Sequence, residues 1–120
     1  MLNGGAGNDK LTGGSGKDSF LFTNALNATT NVDHIFDFSS VDDKILLSHS
    51  VFTAAGALGT LAAGAFHTGS AAADADDRII YNPTTGALIY DSNGNLAGGA
   101  TQFATLSTSL ALTNTNFQIV

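Results

Sequence analysis

Residues 4–12 read Gly4-Gly5-Ala6-Gly7-Asn8-Asp9-Lys10-Leu11-Thr12, and residues 13–21 read Gly13-Gly14-Ser15-Gly16-Lys17-Asp18-Ser19-Phe20-Leu21. Both rows follow the pattern G-G-x-G-x-D-x-U-x, in which U is a large apolar residue. This nine-residue period is typical of parallel β-helices that bind calcium in their turns. A flexible glycine-serine linker needs neither the fixed aspartate nor the fixed apolar position, so the double match favours a repeat structure.

The residue types in each row suit calcium chemistry. Calcium takes six to eight oxygen ligands, which main-chain carbonyls and aspartate carboxylates can supply. The glycines allow the tight turns that point carbonyls inward, and Asp9 and Asp18 close the loops with charge. Leu11 and Phe20 begin short strands whose apolar side chains point into a core between two sheets. The remaining expected ligands in the loops are Gly4, Ala6, Gly13 and Ser15.

The sequence around and after these rows resembles a known family. The repeats look like the end of an RTX (hemolysin-type) array in a bacterial protein exported by a type I system, and Phe20-Leu21-Phe22 resembles the last strand of such arrays. Residues 33–38 (DHIFDF) and 43–48 (DKILLS) are similar to the D-x-I-x-D-F…D-K-I-D-L-S segment that follows the repeats in serralysin-type proteases. Leu46 stands where those proteins usually have Asp, so no metal role is expected there. Residues 77–106 also resemble the C-terminal region of many RTX-type proteins.

The resemblance implies an all-β fold: a short parallel β-roll over residues 1–22, followed by a β-rich C-terminal cap over residues 23–120, as one continuous domain. It further implies a secreted protein that binds Ca²⁺ and folds after export. Its expected partners are upstream RTX repeats and the type I secretion machinery, which would recognise the uncharged tail from Ser107. Leu2 fits the apolar position of a preceding repeat, so we expect a fragment of a longer protein, without an N-terminal signal peptide.

Two aspartates after the repeats are candidate metal ligands. In a parallel β-roll successive loops fall on opposite sides, so each of the two loops supplies only part of a calcium shell, and carboxylates from downstream are needed. The family segment supplies Asp33 and Asp37. We expect Asp18 to recruit one of them, and Asp9 to lack its upstream partner. Asp37 could alternatively cap a turn at a strand end.

Composition narrows the function classes. The 120-residue chain has ten Asp, no Glu, four basic residues and a net charge of −6. Nucleic acid and anionic membranes are disfavoured as partners because no basic stripe exists. Cysteine is absent, so disulfides and thiol chemistry are excluded. No apolar run is long enough to span a membrane. The sequence has no G-x-S-x-G motif, no H-E-x-x-H motif and no glutamate. We therefore do not expect this 120-residue fragment of a larger protein to be an enzyme by itself.

The remaining elements are mostly short predicted strands. In residues 33–38, Ile35 should face inward, Phe36 and Phe38 should share the opposite face, and Asp37 should lie at the strand end. Residues 51–58 could form one or two helical turns, and the small number of large apolar residues predicts a thin, elongated body. The predicted strands are residues 20–22, 33–38, 44–48, 102–106 and 117–120, together with a hairpin of residues 78–81 and 87–90.

Other candidate sites are weaker. Asp91-x-Asn93-x-Asn95 begins like an EF-hand loop, but its glycine is misplaced and a plain turn is favoured. Asp74, Asp76 and Asp77 could bind a cation, although a solvated loop is the commoner outcome. His34, His49 and His67 lack the spacing of a zinc site. A carbohydrate-binding or adhesion module is the alternative function, and it would need a row of exposed aromatic or basic residues along one sheet face.

Overall fold

The computed structural model describes residues 2–94 and 99–120, and in this part of the chain it is built from strands with two 3₁₀ turns. No helix among these residues is long and apolar enough to cross a membrane. The 3₁₀ turns are Ala63–Ala65 and Asn114–Asn116. The strands are β1 (Lys10–Leu11), β2 (Ser19–Phe22), β3 (Asp33–Ile35), β4 (Lys44–Leu47), β5 (Gly59–Thr60), β6 (Phe66–Thr68), β7 (Ile79–Tyr81), β8 (Ala87–Asp91), β9 (Ala100–Thr105) and β10 (Phe117–Ile119).

The strands form two sheets, and the first four strands alternate between them. The larger sheet has the order β1-β3-β9-β8-β7-β6, and the smaller has the order β2-β4-β10-β5. β1 pairs with β3 in parallel, and β2 pairs with β4 in parallel. Leu2 forms a parallel bridge with Phe20, so the smaller sheet also continues towards the N-terminus. The chain therefore crosses from one sheet to the other after each glycine loop.

The C-terminal part extends both sheets. β9 pairs with β3 in parallel, and β10 pairs with β4 in parallel. β7 and β8 form the predicted antiparallel hairpin, whose turn ends at Gly86 with φ of 81°. The strand edges that β3 and β4 would otherwise expose are thus paired within the chain, as stable sheets require.

The core lies between the two sheets. Phe20, Ile45 and Phe117 occupy neighbouring positions on three adjacent strands of the smaller sheet, and none of them has exposed surface. Phe22 meets Phe103 of the larger sheet edge to face, with ring centroids 5.2 Å apart. The apolar position of the second repeat is therefore a core position, as the nine-residue pattern predicts.

Three expectations about shape and local structure are wrong. Phe36 is 48% exposed whereas Phe38 is buried against Phe20, because β3 ends at Ile35 and the chain bends before Phe38. Residues 51–58 form turns and bends rather than a helix, consistent with the breaks at Gly56 and Gly59. The body measures 38 × 29 × 27 Å with a radius of gyration of 12.8 Å, below the roughly 13.6 Å of a typical compact domain of this length. The body is compact because β5 to β10 add strands to both sheets and so widen them.

Candidate metal centre

The two glycine loops share the same pattern of positive φ angles. The second and fourth residues of each row have positive φ, at 74° and 104° for Gly5 and Gly7, and at 85° and 91° for Gly14 and Gly16. These values lie in the left-handed region that glycine adopts without steric cost. The first glycine of each row is required for a different reason, which is the close approach of a carboxylate.

In the first loop, two carboxylates converge on Gly4. A Cβ atom at Gly4 would lie 2.9 Å from Asp33 Oδ2 and 3.0 Å from Asp9 Oδ2. The Asp9 amide donates a hydrogen bond to Asp33 Oδ1 at 3.0 Å. Asp9 Oδ2 is buried and has no hydrogen-bond partner. The space over Gly4 therefore holds two carboxyl groups, and the donor that it offers to Asp9 Oδ2 is a proton on the side chain of Asp33, with which Asp9 makes a side-chain contact.

This environment changes the acidity of Asp33. Its side chain is 3% exposed. Burial raises the pKa of Asp33 from 3.8 to about 6, and the negative charge of Asp9 adds to the rise, while the hydrogen bond from the Asp9 amide opposes it. A carboxylate in such a position is stabilised by a nearby cation.

In the second loop the corresponding partner is Asp43, which was not among the expected ligands, and the atoms nearest to a Cβ at Gly13 all belong to Asp18. Asp18 Oδ2 is buried without a hydrogen-bond partner, and a Cβ atom at Gly13 would be 2.5 Å from it. The Asp18 amide donates to Asp43 Oδ1 at 2.9 Å, and the Ser39 amide donates to Asp43 Oδ2 at 2.8 Å. Asp43, which is 2% exposed, thus contacts Asp18 as Asp33 contacts Asp9.

Asp33 therefore contacts Asp9 and not Asp18, contrary to one of the two expected pairings, and Asp37 contacts the second loop at Gly13 and Gly14 and not at Asp18. Metal binding by Asp33 and by Asp37 stays a prediction. Strand register explains the outcome, because Lys10 pairs with His34 and Ser19 pairs with Lys44. Asp9 therefore aligns with Asp33, the first residue of β3, and Asp18 aligns with Asp43, the residue directly before β4. The sequence signal that could have identified Asp43 is its position directly before the second post-repeat strand.

Asp37 contacts the second loop at its beginning. Its Oδ1 accepts a hydrogen bond from the Gly13 amide at 2.9 Å, and its Oδ2 accepts one from the Gly14 amide at 2.7 Å. These two amides lower the pKa of the Asp37 carboxyl. As predicted, Asp37 follows the end of a strand, in the bend after β3.

The carboxylate oxygens of the two loops fit a divalent cation, but the acidic side chains alone do not complete its ligand shell. The two unpartnered carboxylate oxygens, Asp9 Oδ2 and Asp18 Oδ2, are the hard ligands that calcium prefers. Within residues 2–94 and 99–120, however, no three acidic or histidine side chains are grouped closely enough to hold a metal by themselves. Main-chain oxygens would have to complete each shell.

The weaker candidates have local structural roles. Asp77, which is 3% exposed, accepts hydrogen bonds from the amides of Ala73 and Asp74 and lies 3.8 Å from His67 Nδ1. Asp91 accepts a bond from the Asn93 amide at 3.1 Å, which is the geometry of a plain turn. The third residue of that motif, Asn95, lies outside the described residues.

A comparison with known protein families identifies the family of this chain. The family model described as "Peptidase M10 serralysin C terminal" matches residues 2–95. This family is the C-terminal, non-catalytic part of serralysin-like proteins and not their peptidase domain. Searches among curated proteins and among solved structures found no match.

Proposed function

The chain belongs to the serralysin C-terminal family, and from this we propose that it is a calcium-binding module which caps the RTX repeats of a larger secreted protein. In this proposal residues 1–22 are the last part of a parallel β-roll and residues 23–120 are its cap. The alternation of β1 to β4 between two sheets, with parallel pairing within each sheet, supports the roll.

The observation that carries the calcium assignment is the pair of buried oxygens Asp9 Oδ2 and Asp18 Oδ2, neither of which has a hydrogen-bond partner. A buried, unpaired carboxylate oxygen is costly unless a cation or a donor compensates it. The same orphan recurs in both loops, nine residues apart in the sequence, which argues for a common ligand. The proposed shell adds Asp33 beside Asp9 and main-chain oxygens of the loops, namely those of Gly4, Ala6, Gly13 and Ser15.

Asp37 is a candidate ligand of a different kind. Both of its oxygens already accept amide hydrogen bonds from the second loop. A carboxylate oxygen has more than one acceptor site, so these bonds leave room for a metal contact. The turn-capping alternative explains the same bonds without metal, and the effect of a substitution distinguishes the two.

The edge strands of the two sheets support the proposed assembly with upstream repeats. Leu2 and β1 lie at the same end of the two sheets, where upstream repeats would add further strands. The C-terminal strand β10 is inserted between β4 and β5, and Phe117 and Ile119 are buried in the core. A type I secretion machinery that reads this tail would have to bind it before the module folds. Calcium outside the cell would then favour the folded form.

The test is a calcium titration followed by circular dichroism and calorimetry. Extracellular modules bind calcium with dissociation constants of about 10⁻⁴–10⁻³ M, and one site at tenfold saturation stabilises by roughly 1.4 kcal/mol. We expect calcium to raise the melting temperature, and Asp9→Ala and Asp18→Ala each to reduce the bound calcium. Asp42→Ala is the control, since Asp42 is exposed and outside the loops. No binding heat and no change in melting temperature at 10 mM calcium would refute the assignment.

The carbohydrate-binding alternative has less support. Both tyrosines are buried, and among the described residues the exposed large apolar side chains include one aromatic residue, Phe36. Phe36 stacks on His34 with ring centroids 4.1 Å apart. The alternative predicts a row of exposed aromatic residues along a sheet face, and one ring pair does not form such a row.

A further inference from the structure

We infer that Asn116 couples the C-terminal strand to the second glycine loop, so that docking of β10 sets the calcium affinity of that loop and not of the first. This inference rests on the proposed calcium function. It adds that Asn116 is a positioning residue, which holds the turn that contacts Asp18. Asn116 lies 73 residues or more from the groups that it contacts in the Ser39–Asp43 turn.

The side chain of Asn116 joins two segments. It is 4% exposed and immediately precedes β10. Its Nδ2 donates to the carbonyl oxygen of Ser40 at 2.8 Å and to that of Asp43 at 3.4 Å. Its Oδ1 accepts a hydrogen bond from the Thr113 amide at 3.0 Å, which closes the 3₁₀ turn before the strand. A buried amide with all of these bonds fixes the turn and the strand relative to each other.

The Ser39–Asp43 turn transmits this contact to the loop. Asp43 binds the Asp18 amide through Oδ1 and the Ser39 amide through Oδ2, and its own amide donates to the Ser39 carbonyl at 2.9 Å. Lys44 reinforces the connection, because its amide donates to the Asp18 carbonyl at 2.9 Å and its Nζ donates to the Thr115 carbonyl at 2.6 Å. Loss of the Asn116 contact would therefore loosen the turn that holds the Asp18 backbone.

The first loop has a different support. Asp33, which binds the Asp9 amide, belongs to β3, and β3 pairs with β1 and β9 of the larger sheet. β10 belongs to the smaller sheet. The described hydrogen bonds of Asn116 reach Thr113, Ser40 and Asp43 and none of them reaches the first loop. The two loops should thus respond differently to a change at Asn116.

A charge-matched pair of substitutions tests this selectivity. Asn116→Asp keeps the oxygen that accepts from Thr113 and removes the donor to Ser40 and Asp43. Asn114→Asp is the control: it adds the same charge in the same 3₁₀ turn but removes a donor to the Leu61 carbonyl, bonded at 2.8 Å. Each is combined with Asp9→Ala, which leaves the second loop, and with Asp18→Ala, which leaves the first. Calcium binding is measured by calorimetry.

We expect Asn116→Asp to weaken calcium binding about threefold to tenfold when only the second loop remains, the effect of about one hydrogen bond, and less than about twofold when only the first remains. Asn114→Asp should change neither by more than about twofold. Equal losses in the two loops, or equal effects of the two substitutions, would overturn the coupling. If the chain binds calcium and substitution of Asn116 does not change the affinity, the coupling is wrong and the proposed function stands. If the unsubstituted chain does not bind calcium, the proposed function is wrong.

Amide hydrogen exchange gives a readout that does not depend on binding heat. In calcium-containing buffer, Asn116→Asp should speed exchange of the Asp18 amide, which Asp43 binds, and leave that of the Asp9 amide unchanged. If Asn116→Asp does not fold, Asn116→Ala is compared with Asn114→Ala in the same way. Unchanged exchange at Asp18 in a folded Asn116 variant would refute the connection through the turn.

Discussion

Replacement of Asp33 by asparagine should have opposite effects with and without calcium. Asp33 is buried beside Asp9, and its pKa is raised to about 6. At pH 7.5 without calcium, the ionised side chain is therefore held in an unfavourable environment. In the unsubstituted protein the Asp9 amide donates a hydrogen bond of 3.0 Å to Asp33 Oδ1. Asparagine keeps an oxygen that can accept this bond, and it removes the charge.

The expected magnitude follows from the shift in acidity. A folded-state pKa raised above the unfolded value favours folding at low pH, and that contribution is lost as the pH rises through the folded pKa. For Asp33 the window is pH 3.8 to about 6, and the full shift corresponds to at most about 3 kcal/mol. Asp33→Asn should therefore raise the calcium-free unfolding free energy by about 1–3 kcal/mol at pH 7.5 and change it little at pH 4. The melting temperature shifts by roughly 4 °C per kcal/mol.

In saturating calcium the same substitution should lower the melting temperature, because a charged ligand is lost. The assay is thermal unfolding by circular dichroism at pH 4 and 7.5, in chelator and in 10 mM calcium. Asp42→Asn, at an exposed position of the same segment, is the control for net charge. Two results would exclude Asp33 as a calcium ligand. One is that Asp33→Asn destabilises the protein in chelator at pH 7.5, and the other is that it raises the melting temperature equally in both buffers.

Three further predictions use the same buffers. Gly4→Ala should weaken calcium binding several-fold in calorimetry, since its Cβ would lie 2.9 Å from Asp33 Oδ2 and 3.0 Å from Asp9 Oδ2; unchanged affinity would mean that no ion lies between these carboxylates. Asp37→Asn should lower stability in urea more in calcium than in chelator, because a charged ligand is lost in addition to one of the two acceptors for the Gly13 and Gly14 amides; an equal loss in both buffers would mean that Asp37 only caps the turn. Phe117→Ala should cost about 3–5 kcal/mol of unfolding free energy, and a smaller loss in urea would mean that β10 is not part of the core.

The parts of the site that could be predicted from the sequence are those set by neighbouring residues. Positive φ at the second and fourth residue of each row is a local requirement that only glycine meets easily, so the loops are visible in the pattern. Phe20 follows its loop aspartate at a fixed interval and is fully buried, as the alternation of a strand requires. The Asn82–Gly86 turn between β7 and β8 was predictable for the same reason.

The sequence by itself determined the two loops, the strand type and the acidic, cysteine-free chemistry of this protein, because each depends on residues within a few positions of one another. Only the tertiary structure decided which aspartate meets which loop. Asp33 reaches Asp9 across 24 residues and Asp43 reaches Asp18 across 25, and both contacts depend on the parallel register of β1 with β3 and of β2 with β4. The contact of Asn116 with the Ser39–Asp43 turn is longer still in sequence, and it exists because β10 pairs with β4. Register and strand order arise from packing of the whole core, which no local pattern specifies.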